Sequence, residues 1–144
     1  MIDERAIPRY NGFQKEIKMY HVDITNAGDY FFNVKSKDYE FIVDVKGKGI
    51  TPPDTLLASL GTCVGIYLRK YAEGVKLILP EFSISVDAEL SKEAPFCFRK
   101  IILSVNLKGT QLDERRYKAL QEFVKNCPVH NTIKNNPDVE IKIK

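Results

Sequence analysis

The chain has 144 residues, 44% hydrophobic and 28% charged, a balance that suits one domain with a real core and excludes a disordered or membrane-embedded protein. Lys and Arg number 22 against 19 Asp and Glu, and the resulting +3 is spread along the chain, so it leaves no electrostatic footprint for nucleic acid. The opening "MIDERAIPRYNGF" mixes both charge signs and lacks an apolar core, which excludes a secretory signal. No apolar run approaches the roughly 18 residues that cross a bilayer, so no membrane partner is expected and the cytoplasm is the expected location.

Residues 14–45 alternate with period two between turn residues and predict three short strands: 17–24, ended by "TNAGD"; "YFFNV"; and "YEFIVDV", where Tyr39, Phe41, Val43 and Val45 share a face. Their short connections make an antiparallel meander. After "KGKGI", Thr51 is a good N-cap, Pro52 fits the first helical position and Asp54 is placed for a capping box, so a helix is predicted to about Glu73 with Gly74 as its stop. Residues 56–68 carry no charge, which predicts a central helix buried on every side. Its small residues Ala58, Gly61, Thr62 and Gly65 recur at three- and four-residue spacing, a face for another backbone, expected to be a second helix.

A hairpin follows. Phe82, Ile84, Val86, Ala88 and Leu90 alternate with polar residues, "KEAPF" turns the chain, and Ile101, Leu103, Val105 and Leu107 repeat the pattern. Thr110 with Asp113 opens another helix, whose apolar stripe is Tyr117, Leu120 and Val124, extended by Cys127. Pro128 disfavours helical backbone at Cys127 and fits the first position of a new short helix, which makes Cys127 an N-cap. The closing "VEIKIK" alternates as a last strand. The expected fold is α+β, with residues 1–144 in a single domain.

Three cysteines without CxxC or Cys/His spacing are too few for a disulfide scaffold and exclude a structural zinc site. Free cysteine is commonly a small buried hydrophobe, and Cys63 and Cys97 read that way on composition alone. Cys127 differs, because an N-cap thiol faces the positive end of a helix and its free N–H groups, which lower a thiol pKa. His21, in a predicted strand, and His130, near a helix start, show no partner in the sequence.

The two cysteine segments together carry a resemblance. "TPPDTLLASLGTCVGIYL" resembles the first cysteine helix of the OsmC/Ohr family, the osmotically induced and organic-hydroperoxide-resistance proteins, and "KNCPVHNTI" resembles its second motif. "SKEAPFCFRKIILSVNLKG" resembles the middle hairpin of the OsmC-like branch. The resemblance implies antiparallel sheets wrapped around long central helices in an intertwined homodimer. It implies a thiol-dependent peroxidase acting on organic hydroperoxides or hydrogen peroxide, with Cys63 as the peroxidatic and Cys127 as the resolving cysteine. It further implies no metal or organic cofactor, and an external dithiol or small-thiol reductant as partner.

In that family an N-terminal arginine held by a glutamate activates the first cysteine. Here Pro53 stands where the hydroperoxide-resistance branch has the glutamate, and Asp54, one position later, matches the acidic residue of some relatives. Asp54 is equally explained as a capping residue. Arg5 and Arg9 are the N-terminal arginines, with Arg69 and Arg99 as alternatives. This imperfect pattern leaves a rival reading, a non-catalytic or differently catalytic OsmC-like protein that holds a small thiol or acyl-thiol ligand in a dimer cleft.

Overall fold

The computed structural model describes residues 19–144, in two compact units divided after Gly49. The first unit is an antiparallel meander of β1 (Asp23–Asn26), β2 (Phe31–Ser36) and β3 (Tyr39–Asp44), in that spatial order. Val34 faces Ile24 on one side and Phe41 on the other, so the apolar residues of the three strands line up across the ladder. The β1–β2 turn is closed by one side chain. Asn26 donates from Nδ2 to the carbonyls of Asp29 and Phe31, and its Oδ1 accepts from the Gly28 N–H.

The first strand is shorter and later than the sequence pattern predicts. Residues 17 and 18 lie outside the described residues and 19–22 form no strand; exposed His21 pairs with Asp23 at 3.0 Å instead. Beyond β3 the buried Asp44 carboxylate accepts the N–H groups of Lys46 and Lys48 at 3.1 and 2.8 Å, which curls the "KGKGI" segment. Gly49 is required there, because a Cβ would sit 2.5 Å from the Ile42 carbonyl oxygen.

The second unit, Ile50–Lys144, is built on α1 (Pro52–Gly74). The Thr51 cap forms as predicted, with one difference. Thr51 Oγ1 accepts from the Asp54 N–H, but the Asp54 carboxylate takes the Thr51 hydroxyl proton at 2.8 Å rather than a backbone N–H. At the other end Gly74 stays helical and the left-handed position is Lys76, with φ 56°. The Leu77 N–H reaches the Ala72 carbonyl at 2.8 Å and the Lys76 N–H the Glu73 carbonyl at 3.3 Å, a Schellman motif sealed by Leu77 and Ala72 in the same apolar cluster.

Strands β4 (Ser83–Leu90) and β5 (Phe98–Asn106) pair antiparallel, and the inward face is the predicted one, with Ile84, Ile101 and Leu103 packed towards α1. Helix α2 (Glu114–Val124) starts later than predicted: Asp113, not Thr110, is the N-cap, its carboxylate accepting from the Arg116 N–H at 2.8 Å. The α2 stripe is shifted as well. Leu120 is buried, but Tyr117 is exposed, and the inward aromatic is Phe123, 6.0 Å from the Tyr67 ring and 5.7 Å from Tyr71. Helix α3 (Pro128–Asn135) is capped by Cys127 as predicted.

Three expectations are overturned. Helix α1 is not covered all round: β4, α2 and α3 pack on it, yet Leu56 and Ile66 stay exposed, Ile66 at 55%. Among the described residues no helix packs on the small-residue face, where Ala58 and Thr62 are exposed. Gly61 and Gly65 face β4, where Val86, Ile84 and Phe82 fill the space that side chains on α1 would take. The closing residues 139–143 form no strand, and Val139, Ile141 and Ile143 are exposed, Ile143 at 92%. Alternation supplies an apolar face but no ladder partner, and among the described residues none pairs with this segment.

The two glycines are separable by substitution. A Cβ on Gly61 would lie 2.9 Å from Val86 Cγ2, whereas on Gly65 the nearest atoms are at 3.4 Å or beyond. Alanine in mid-helix gains about 1 kcal/mol over glycine, and overpacking costs about 1–3 kcal/mol. Urea unfolding is expected to show Gly65→Ala neutral or stabilising and Gly61→Ala destabilising; a stabilising Gly61→Ala would contradict the close approach of β4.

Candidate active site

Cys63 lies in the middle of α1, half-buried, and Cys127 lies at the junction of α2 and α3 with 0% exposure; both are free thiols. The tertiary fold brings them together. Cys127 sits with Leu60 and Val64 in one buried cluster, and Cys63, Tyr67, Ile84, Leu103 and Val124 pack around it. The Cys63 side chain is therefore a packing neighbour of the cluster that buries Cys127.

The N-cap geometry at Cys127 is present, since its Sγ accepts from the His130 N–H at 3.4 Å. Its electrostatic result is the reverse of the sequence expectation. Burial pushes the Cys127 thiol above its ordinary value, and the neighbouring Cys63 side chain adds to this. The N–H groups of His130 and Val129 pull the other way without prevailing. A terminus can stabilise a thiolate only where some water remains, and here the desolvation cost wins. The protonated form of Cys127 is therefore favoured.

The raised pKa has a consequence for folding. Native Cys127 holds its proton at pH values where the unfolded chain, with a thiol near about 8.5, has lost it. Its contribution to stability is fully present below about pH 8.5 and is lost as pH rises through the native value. Urea unfolding of the reduced protein between pH 7 and 10 is expected to fall more steeply for the parent than for Cys127→Ala. Parallel curves would contradict the assignment.

The other sequence candidates lie elsewhere. Asp54 is spent on the Thr51 cap, nine residues and about 13 Å of helix rise from Cys63. Arg69 anchors the chain leaving α1: its guanidinium donates to the Leu79 carbonyl and, at 3.2 Å, to that of Pro80, and stacks 4.9 Å over the Phe82 ring. Arg99 is on β5 beside Glu89 and Glu93 at the turn end of the hairpin. Arg5 and Arg9 lie outside the described residues. Cys97 belongs to that same turn, where Ser91 Oγ accepts its N–H at 3.1 Å.

His130 is what sequence reading undervalued. Its backbone N–H is on the Cys127 sulfur, its Nδ1 is 3.3 Å from Asn131 Oδ1, and it helps to line an apolar groove of about 370 Å3 in which neither cysteine takes part. Val64, Leu68, Leu103, Val124 and Lys125 form much of the rest. The third residue after an N-cap is where a bonded N–H is found, and that rule was the available signal. Among the described residues no His, Cys, Asp and Glu cluster could hold a metal ion, and no helix is long and apolar enough to cross a membrane.

The sequence model of the OsmC-like protein family matches residues 45–142, which include both cysteines. The chain belongs to the OsmC-like family. Its mixed α+β fold, with antiparallel sheets and three helices, is also that of solved OsmC-like structures. The OsmC-like protein of Mycoplasma pneumoniae is 22% identical, with a TM-score of 0.71 over 83% of this chain and 89% of that one. An organic hydroperoxide resistance protein OsmC from Legionella pneumophila is 20% identical, TM-score 0.60, over 88% and 96% of the two chains. One from Elizabethkingia anophelis, crystallised with thiocyanate, is 17% identical, TM-score 0.61, over 83% and 91%. No curated protein matches the chain. At these identities the structural likenesses establish the OsmC-like fold and not the reaction.

Proposed function

We propose that this OsmC-like protein is a thiol-dependent peroxidase that reduces organic hydroperoxides or hydrogen peroxide through a two-cysteine cycle. The observation that carries the reading is that the fold packs Cys63 against the buried cluster containing Cys127, two thiols far apart in sequence. The Cys63 thiolate attacks the peroxide oxygen, the O–O bond breaks, and the alcohol or water leaves as sulfenic acid forms on Cys63. The Cys127 sulfur then displaces that hydroxyl as water, giving a disulfide, and an external dithiol returns both thiols. The relatives named for organic hydroperoxide resistance support this redox role. The functional unit is a cytoplasmic homodimer, and the uncovered face of α1 with Leu56 and Ile66 is consistent with a second copy.

One equivalent of cumene hydroperoxide added to the reduced protein is expected to give a Cys63–Cys127 disulfide within seconds, read by intact mass and peptide mapping. Survival of both thiols would sink the proposal. The activating cation is assigned to the N-terminal segment, so hydroperoxide turnover should collapse in only one of Arg5→Ala and Arg9→Ala. Equal activity in both would remove that assignment.

A second reading rests on the apolar groove lined by Val64, Val124 and His130, whose volume suits a small thiol or acyl-thiol ligand. A ligand retained in native mass spectrometry, together with absent peroxide turnover, would favour it.

A further inference from the structure

A second groove, of about 610 Å3, lies past the C-terminal end of α1, about 16 Å of helix rise beyond Cys63. Two connections and a helix line it. The segment after α1 brings Lys76, Leu77, Ile78 and Pro80; the segment after β5 brings Lys108, Thr110 and Gln111; α2 brings Arg116. The lining holds three cationic side chains and no carboxylate.

Among the described residues those cations are unpaired, and the backbone that carries them is held in place. No ion pair joins Lys76, Lys108 or Arg116 to an acid among the described residues. The nearest acids on α2 are committed elsewhere, Asp113 to the helix cap and Glu114 to Lys118 at 2.9 Å. Each cation sits on backbone that is held in place. Lys76 is within the Schellman motif, the Lys108 N–H donates to Asn106 Oδ1 at 2.9 Å, and Arg116 is fixed through its N–H to Asp113 and through its carbonyl, which accepts from the Tyr71 hydroxyl at 3.2 Å. Three like charges gathered around one cavity raise the potential there and draw in an anion. Beside them is an apolar wall, with Ile78 82% exposed.

We propose that this groove binds a small organic polyphosphate. The phosphoryl oxygens lie on Lys76, Lys108 and Arg116, assisted by the Thr110 hydroxyl and the Gln111 amide, and the organic part rests on Leu77, Ile78 and Pro80. A guanidinium with two ammonium groups suits a ligand carrying several charged oxygens, because charge-assisted bonds to phosphate are the strong ones. A cavity of this volume fits a nucleotide-sized molecule. The site is separate from the thiol pair, and the inference stands or falls independently of the peroxidase reading.

The test is a titration of the full-length, isotope-labelled protein followed by amide chemical shifts, with ATP, sodium pyrophosphate and adenosine as probes. ATP is expected to give saturable shifts confined to residues 76–80, 108–111 and 116, to bind more tightly than pyrophosphate, and adenosine to give none. Lys76→Gln, Lys108→Gln and Arg116→Gln should each weaken ATP about tenfold, the effect of one charge-assisted bond. Lys92→Gln, at the hairpin turn, should change nothing, and the melting curves of all four should match the parent, since exposed side chains are altered. Absent or scattered shifts, equal weakening by Lys92→Gln, ATP no tighter than pyrophosphate, or tighter binding of a short single-stranded oligonucleotide than of ATP would each overturn the proposal.

Discussion

Cys63→Ser is expected to lower hydroperoxide turnover by about 1000-fold or more, as removal of an attacking nucleophile does, while Cys127→Ser gives one reaction and then stalls. The asymmetry follows from the geometry. Cys63 is half-buried and carries the reacting sulfur in the proposed cycle, whereas Cys127 has no exposure and burial raises its thiol pKa. Without Cys127 the sulfenic acid on Cys63 has no thiol beside it, so it persists and can be trapped by dimedone. Stopped-flow consumption of one equivalent of peroxide, with dimedone labelling mapped by mass spectrometry, separates the two variants. Labelling of Cys127 in the Cys63→Ser protein at the parent's rate would reverse the assignment of roles.

Leu68→Ala is expected to cost about 2–5 kcal/mol of stability, the range for a large-to-small change in a core. Leu68 is 2% exposed and packs with Tyr71, Ala72, Leu79 and Leu120, so it ties α1 to α2 and to the chain leaving α1. Its environment argues for the middle of that range rather than the top. Leu68 also lines the 370 Å3 groove, so the space left by truncation merges with a cavity that water or a ligand can enter. Urea unfolding of Leu68→Ala checks the loss, and a change below about 1 kcal/mol would show that the site collapses around the deletion.

Helix starts were legible because capping is local chemistry. Thr51–Pro52 and Cys127–Pro128 stand at the predicted positions, since a cap needs only a side chain and the next few N–H groups. Thr110 was misread for the same reason in reverse: a second good acceptor, Asp113, lies three residues on and captures the Arg116 N–H. The β4–β5 hairpin followed from its alternation because one face packs on α1. The same alternation at 139–143 predicted a strand that does not form, because pairing needs a neighbour that pattern cannot supply.

By itself the sequence determined the two cysteine motifs, the caps that place one thiol in mid-helix and the other at a helix start, and the α+β order of elements. Tertiary structure decided what those features do. It set Gly61 and Gly65 against the side chains of β4 rather than a second helix, because the distance across a packed interface is fixed by the partner and not by the helix. It brought Cys63 against the apolar cluster of Cys127, across 64 positions of sequence (127 − 63). It also reversed the expected charge preference of Cys127: a helix dipole can be read from a cap, but the cost of desolvation depends on everything folded around the sulfur.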